Sequence, residues 1–398
     1  GNVPEGAELV VYSSAVSTDN PELLRAKEIG AKVLSYTEAL GEIMEEYIGV
    51  AVSGTNGKTT TTALLGTIIS HAKLDPAVIL GGNVRQWGGN FKEGNGDIFL
   101  VEGCEYQKNI LNLSPQMIIL TNIEEDHLDC YKDIKEIKNT FAQYVNKLKK
   151  ENILIFNVDD NNIMDCCMET CANKISYGLD HTYDLYAENI EVVDGRQEFD
   201  VVWRKEKIGR FKTTLPGKFN VYNILAAVAA ALYFGIDKQI ILSAIEQFGG
   251  VERRFETFKG KDRKVVISDY AHHPTSVRET ISSAKEMYKG RKILTVFQPH
   301  QRDRTIKLFD GFAKAFDEAD EVVLLEIYDV AGRESGQKIS SNDLVGAIKK
   351  RNPKLPISFA KDIVEASTLI QEKKHDFDIV LVMGAGDVDK IVDVLITQ

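Results

Sequence analysis

Residues 48–60 read IGVAVSGTNGKTT, and the reading of this stretch decides the fold. IGVAVS (48–53) is a short, apolar, β-branched run of the kind that forms a strand buried on both faces. GTNGKTT (54–60) is a glycine turn, and a helical pattern follows over 61–71. A turn between a buried strand and a helix aims backbone N–H groups and the positive end of a helix dipole at one point, which suits a phosphate. Lys58 adds a mobile positive charge for the β- and γ-phosphates, and the Thr59 hydroxyl is placed to hold Mg2+. The general phosphate-loop pattern has a glycine where this chain has Val52; here the first glycine is Gly54. Gly54, Thr55, Asn56, Gly57, Lys58, Thr59 and Thr60 are therefore the expected nucleoside-triphosphate loop.

Outward from the loop, DIFLVE (97–102) and MIILT (117–121) are continuous apolar runs of the parallel-sheet kind. An amphipathic helix is expected over 134–148 and a strand over 152–157. Residues 175–214 carry shorter strands, with Asp194-Gly195 as a hairpin turn. Helices over 221–234 and 237–248 lead to a boundary at Gly249-Gly250-Val251. Beyond it βα alternation restarts, with strands at 264–269, 292–297, 321–327 and 379–383 and helices at 275–287 and 306–316. The fold class is α/β: a P-loop-type central domain followed by a Rossmann-like doubly wound domain. Before both, a strand at 8–13, a helix at 21–30 and a strand at 32–35 read as the tail of a further α/β unit. The expected units are 1–46, 47–252 and 253–398.

The 398 residues favour two or three domains. With 43% hydrophobic and 27% charged residues, several cores can form, which excludes a disordered or fibrous chain. A net charge of −11 argues against broad contact with nucleic acid or anionic lipid. The longest apolar stretches, such as 118–121 and 226–232, fall short of a membrane span. No charged-then-apolar leader opens the chain, and a cytoplasmic address is expected. The five cysteines are an odd number in a long chain, so no disulfide framework is expected. Cys166-Cys167-x3-Cys171 lacks a second CxxC pair and a histidine at ligand spacing, and reads as reduced thiols.

Strand ends supply the remaining chemistry. Glu102 ends an apolar strand where parallel strands open into a ligand crevice, and His127 follows the next strand after Glu124-Glu125-Asp126. Together they are candidate metal or phosphate contacts; Glu105, Glu124 and Glu125 read as solvated charges, with Glu105 close enough to be a second candidate. Asn220 and Asn223 stand at a helix start, either as caps or as ligand contacts. Arg253-Arg254 lies at the interdomain stretch, where an arginine can reach a phosphate held by the other domain. DYAHHPT (269–275) and FQPH (297–300), with Arg302 and Arg304, bring His and Arg to one crevice, where an anionic substrate would bind. Adjacent histidines point to opposite sides, so His272-His273 alone is poor evidence for a shared metal.

GTNGKTT, TNIEEDH, LPGKFNVYN, GVERRFE, DYAHHPT, FQPHQRDRT and MGAGDV, in this order along the chain, resemble the Mur ligases. The resemblance implies an N-terminal UDP-sugar-binding domain, a central ATPase and a C-terminal domain that brings the amino acid. It implies ATP and Mg2+ as cofactors. The reaction implied is ATP-dependent amide ligation, and HHPT with FQPH points to L-alanine and UDP-N-acetylmuramate as substrates. By position it makes Lys58 the phosphate lysine, Thr59, Glu102 and His127 the metal residues, and Asn220, Asn223 and Arg254 the adenine- and phosphate-side contacts. Asp269 becomes the ribose-side carboxylate, and His273, His300 and Arg304 line the substrate crevice. This chain departs from the pattern with Asn56 in place of His, with Glu102-Gly103-Cys104-Glu105-Tyr106 as a variant acidic motif, and with Gln301 where many members have Arg. The glycine-rich turn that would grip a UDP diphosphate is not found, so residues 1–46 read as a remnant of the first domain and poor ligation is expected of it. Two alternatives stay open: a recycling ligase that attaches a tripeptide to the same sugar nucleotide, and a nucleotide-binding fragment without ligase activity.

Overall fold

The computed structural model describes residues 2–397 apart from 14, 128–129, 168, 261–263 and 330–338. Gly1 and Gln398, the outer limits of the first and last expected units, lie outside the described residues. The N-terminal piece runs β1 (Leu9–Tyr12), α1 (Pro21–Glu28), β2 (Lys32–Ser35) and α2 (Tyr36–Met44), with β1 and β2 paired in parallel. Asn20 caps α1 by accepting the Glu22 N–H, and Pro21 takes the first helical position. A reciprocal capping box between Ser35 and Glu38 starts α2. Leu40 and Met44 then anchor α2 in a core shared with Phe99, Ile118 and Tyr144 of the next unit.

That next unit comprises β3 (Ile48–Ser53), α3 (Lys58–His71), β4 (Ala77–Val84), β5 (Gly89–Lys92), β6 (Ile98–Gly103), β7 (Met117–Leu120), α4 (Ile134–Val145) and β8 (Ile153–Asn157). It continues with α5 (Asn161–Cys167), β9 (Asn173–Gly178), β10 (Leu185–Val193), β11 (Arg196–Trp203), β12 (Glu206–Thr213), α6 (Lys218–Tyr233) and α7 (Lys238–Glu246). One ten-stranded sheet has the order β12-β11-β10-β9-β8-β7-β3-β6-β4-β5. β3 lies between β6 and β7 and is parallel to both, so the carboxyl ends of all three open at one edge. α3, α6 and α7 cover one face of the sheet, and α2, α4 and α5 cover the other. α6 is apolar nearly all round, as a helix enclosed in a core must be. The hairpin expected at Asp194-Gly195 is present: both residues have positive φ, and Val193 pairs with Arg196.

Two helices begin earlier than their patterns suggest. α3 starts at Lys58 rather than 61, and α6 at Lys218 rather than 221. Each is preceded by a glycine at positive φ, Gly57 at 84° and Gly217 at 85°, with no side-chain cap to mark the start. Asn220 and Asn223 are therefore inside α6, and the reading of either as its cap is corrected. The paired strands β4 and β5 escaped the sequence reading, because Gly81-Gly82 interrupts the apolar pattern of β4.

The C-terminal unit runs β13 (Glu256–Lys259), β14 (Val265–Asp269), α8 (Pro274–Met287), β15 (Ile293–Phe297), α9 (Arg302–Lys307), α10 (Phe309–Ala315) and β16 (Glu321–Leu325). It closes with α11 (Ser341–Arg351), β17 (Ile357–Ala360), α12 (Ile363–Lys373), β18 (Ile379–Met383) and α13 (Lys390–Thr397). Its six strands are ordered β13-β14-β18-β15-β16-β17, and all pairs are parallel except β13–β14. α8, α10 and α11 pack on one face, and α12 and α13 on the other. The single helix expected over 306–316 is two, broken at Leu308, so Arg302 and Arg304 sit on a short helix rather than in a loop. No helix of the described residues is long and apolar enough to cross a membrane.

The joint between α2 and the central unit depends on Gly41. A Cβ there would stand 2.0 Å from the backbone oxygen of Asn112, where no flexible side chain can yield. Gly41→Ala should therefore lower stability by about 1–3 kcal/mol and speed proteolysis within residues 2–46 ahead of the rest of the chain. Limited proteolysis beside a urea unfolding curve checks both.

Candidate active site

The loop Gly54–Gly57 is held by the end of β7. Thr55 N–H donates to the Asn122 backbone oxygen (2.9 Å), Asn56 N–H to Asn122 Oδ1 (2.9 Å), and Thr121 Oγ1 to the Asn56 backbone oxygen (2.6 Å). A Cβ on Gly54 would lie 2.2 Å from Thr121 Oγ1, and one on Gly57 would lie 2.2 Å from Asn223 Oδ1. The first helical bond of α3 joins Thr61 N–H to the Gly57 oxygen (2.9 Å), which leaves the N–H groups of Lys58, Thr59 and Thr60 without intrahelical partners.

Lys58 lies folded over the loop, with Nζ 2.9 Å from the Thr55 oxygen and 3.0 Å from Glu105 Oε2. Burial pulls its pKa down, but the carboxylate of Glu105, with Cys104 and Glu102 nearby, more than offsets this and raises it. Glu105 is itself buried, at 2% exposure, so its reading as a solvated charge is corrected. Thr59 Oγ1 donates to Glu102 Oε1 (3.0 Å), while Glu102 Oε2 accepts the Gly81 N–H (2.7 Å). A hydroxyl and a carboxylate at a helix N-terminus form a hard oxygen set that fits Mg2+. His127 does not join this pair directly: its Nε2 is 3.6 Å from Glu105 Oε1 and 4.0 Å from Asp126 Oδ2. Glu125 is exposed, as expected, whereas Glu124 is half-buried.

Across the cavity, Arg254 donates to Thr59 Oγ1 (3.3 Å) and lies 4.9 Å over the Tyr270 ring. Arg253 turns away to the Gly384 and Gly386 oxygens (2.6 and 3.1 Å), so only one of the two arginines faces the phosphate loop. Asp269 accepts the N–H groups of Phe255 and Ala271, each at 2.7 Å. Burial raises its pKa against the opposing pull of Arg254 and these two bonds. The adjacent histidines diverge. His273 donates from Nε2 to the Glu125 oxygen (3.0 Å), and its Nδ1 lies 3.5 Å from Glu124 Oε2, which ties the two domains together. Of the two, His272 lines the cavity between the units, while His273 faces the stretch after β7. His272 donates from Nδ1 to the Tyr270 oxygen (2.9 Å); burial and the Arg304 charge push its pKa down to about 3, so it is neutral.

Arg304 binds Asp126 through Nε (3.2 Å) and Nη2 (3.0 Å), and its Nη1 donates to His300 Nδ1 (3.4 Å). The His300 ring stacks on Tyr328 with centroids 5.6 Å apart. Asp126 went unmarked because three consecutive acids in TNIEEDH carry no pattern that singles out the buried one. Its burial favours the neutral carboxyl, yet the Arg304 guanidinium, helped by the His127 backbone N–H at 2.7 Å, holds it well below the usual carboxylate range. A cavity of about 340 Å3 lies between the units, lined by Asn56, Thr59, Asn223, Arg254, Asp269 and His272 among others. Residues from the first turns of α3, α6 and α8 all reach it: Thr60, Phe219 and Ser276. Ser276 Oγ donates to Asn56 Oδ1 (3.0 Å), so the loop position where this chain departs from the Mur pattern is an interdomain contact.

The Asp126–Arg304 pair sets a pH dependence of stability. Asp126 ionises at lower pH folded than unfolded, so the pair stabilises fully above the unfolded value of 3.8 and fades as pH falls below it. Asp126→Asn should cost roughly 3 kcal/mol at neutral pH, mostly by leaving Arg304 buried and unpaired. Urea unfolding of both proteins should show that gap shrinking below about pH 4.

Family models match along the chain: the Mur ligase middle domain at residues 52–231, the Mur ligase glutamate ligase domain at 253–386, and the Mur ligase family catalytic domain at 1–48. A UDP-N-acetylmuramate–L-alanine ligase of Clostridium botulinum is 38% identical over 392 residues, covering 98% of this chain and 84% of that relative. The ligase of the same name from Alkaliphilus metalliredigens is 39% identical over 397 residues, covering 99% of this chain and 85% of the relative. Among solved structures, the UDP-N-acetylmuramate–alanine ligase of Thermotoga maritima superposes with a TM-score of 0.81 at 28% identity, covering 98% of this chain and 84% of that one. The chain belongs to the Mur ligase family.

Proposed function

We propose that this chain catalyses ATP-dependent amide bond formation between L-alanine and the carboxylate of UDP-N-acetylmuramate. The observation that carries this reading is the 38–39% identity, over nearly the whole chain, to relatives named for that reaction. The phosphate loop facing His272 and Arg254 across one cavity gives the reading its chemistry. Residues 47–252 are read as the ATP-binding unit, 253–398 as the unit that brings the amino acid, and 1–46 as part of the sugar-nucleotide unit.

In the proposed mechanism the free N–H groups of α3 and the Lys58 ammonium hold the ATP phosphates, once Lys58 swings from Glu105. Gly54, Thr55, Asn56 and Gly57 wrap the phosphates, Asn220, Asn223 and Arg254 serve the adenine and phosphate sides, and Asp269 serves the ribose side. A carboxylate oxygen of the sugar nucleotide attacks the γ-phosphorus, the bond to the β–γ bridging oxygen breaks, and ADP and an acyl phosphate result. The amine of L-alanine attacks the acyl carbon, a proton leaves the nitrogen, and inorganic phosphate departs. Arg304, His300 and the clamp at His273 would set the two domains and the amino acid in line for that attack. Mg2+, held by Thr59 and Glu102 with His127 nearby, would supply further positive charge to the triphosphate.

Lys58→Ala should lower phosphate release and amide formation by about 100-fold or more while leaving the circular dichroism spectrum unchanged. A rate within a factor of about two of the parent would overturn the role of Lys58. Glu102→Gln should raise the Mg2+ concentration for half-maximal rate more than it raises the KM for ATP. The decisive substrate test sets L-alanine beside a murein tripeptide, with UDP-N-acetylmuramate and ATP in both arms. Amide product with the tripeptide alone would move the reading to the recycling ligase, and phosphate release without any amide would leave only nucleotide hydrolysis.

A further inference from the structure

Asn56 is the loop residue at which this chain departs from the Mur pattern, and its side chain leaves the loop. The Asn56 backbone is tied within the central unit: its N–H donates to Asn122 Oδ1 (2.9 Å), and its oxygen accepts from Thr121 Oγ1 (2.6 Å) and Asn122 Nδ2 (2.9 Å). The side chain crosses to the other unit, where its Oδ1 accepts the Ser276 hydroxyl of α8 at 3.0 Å. Ser276 is held as firmly on its own side. α8 begins at Pro274, which packs so close to Gly311 of α10 that a Cβ there would stand 3.1 Å from the proline ring. Val277, Ile281 and Ala284 bury α8 in the core of the C-terminal unit, while Thr275, Ser276 and Glu279 line the cavity. His273 accepts the Thr275 N–H through Nδ1 (3.4 Å), and His272, one residue earlier, stands on the cavity wall.

A hydrogen bond between two loose side chains fixes nothing beyond itself. Here both ends are braced, the loop by the end of β7 and the helix by its own core, so one bond sets the distance between the two units at the cavity. The group it places nearest is the stretch Tyr270–His273 that leads into α8. In a reaction between groups carried by two units, a displacement of about 1 Å is costly. We propose that Ser276 is a positioning residue for ligation: through Asn56 it holds α8 and the His272 stretch against the glycine loop, and so it acts on the attack of the amine and not on nucleotide binding. The proposal rests on the ligase reading for the step it serves, and the bond itself is tested without substrates.

The test compares the full chain with Ser276→Ala, Ser276→Thr, Asn56→Ala and the double variant Asn56→Ala with Ser276→Ala. Ser276→Ala should lower the rate of amide formation at saturating substrates by about threefold to tenfold, the worth of one partly buried hydrogen bond, and leave the affinity for a non-hydrolysable ATP analogue with Mg2+ within about twofold of the parent. Ser276→Thr keeps the hydroxyl and should hold the rate within about twofold of the parent. In the Asn56→Ala background, Ser276→Ala should cost nothing further. Hydrogen exchange reads the same bond with no substrate present. The backbone N–H groups of residues 54–57 and of the first turn of α8 should exchange about threefold or more faster in Ser276→Ala and in Asn56→Ala alike, and no faster in the double variant. Thermal unfolding establishes that each variant is folded. Analogue binding weakened in proportion to the rate, two changes whose effects multiply, or exchange unchanged by Ser276→Ala overturns the proposal. A parent that forms no amide overturns the ligase reading, whereas an active parent matched in rate by Ser276→Ala overturns this proposal alone.

Discussion

Three helices, α3, α6 and α8, bring their N-terminal turns to one cavity. Each end carries a partial positive charge, and α3 also leaves the N–H groups of Lys58, Thr59 and Thr60 without intrahelical partners, so gathering the three ends in one place is unfavourable until an anion enters. That convergence is the constraint on which the rest of the structure depends. It requires α3 and α6 to start at glycines with positive φ, because a cap side chain at Gly57 would occupy the place of Asn223. It also requires two sheets in different units to open toward each other, since α8 comes from the second sheet and α3 from the first.

The charges around the cavity are matched inside the protein before any ligand arrives. Lys58 meets Glu105 and Arg304 meets Asp126. Each positive group is thus positioned by a carboxylate of the protein, and an anionic substrate can take over part of that role. Some of the contacts that cross between the two larger units touch the phosphate loop, Arg254 on Thr59 and Ser276 on Asn56, while His273 and Arg304 meet the stretch after β7 and Glu256 meets Arg85. The joint between the units and the glycine loop therefore share residues. A change at the loop alters the joint, and a change at the joint alters the loop.

Much of the fold was legible because parallel strands buried on both faces are continuous apolar runs. β3, β6, β7, β14, β15 and β18 each stand within a residue or two of where their runs placed them. β4 was not legible, because its glycines look like a turn, while its pairing with β5 at Ile79 and again at Val84 carries the strand across them. The division of α9 from α10 was hidden for a different reason: the residues around Leu308 suit a helix by type, and neither Gly nor Pro marks the break in its backbone conformation. In the candidate site, the phosphate loop and the Arg and His loops could be listed from their positions after strands. Their partners could not. Asp126 and Glu105 are acids among other acids, and burial alone distinguishes them.

The sequence by itself determined the order of the units, the strand–glycine–helix phosphate site with Lys58 and Thr59, and membership in a family through motifs spread along the chain. These are local or ordered features, carried by residue type and spacing. The tertiary structure alone decided which of His272 and His273 faces the cavity, which of Arg253 and Arg254 reaches the loop, and which carboxylates are buried against Lys58 and Arg304. Neighbours in sequence share composition but point in different directions. Their fates depend on contacts with residues tens to hundreds of positions away, and no local pattern encodes those contacts.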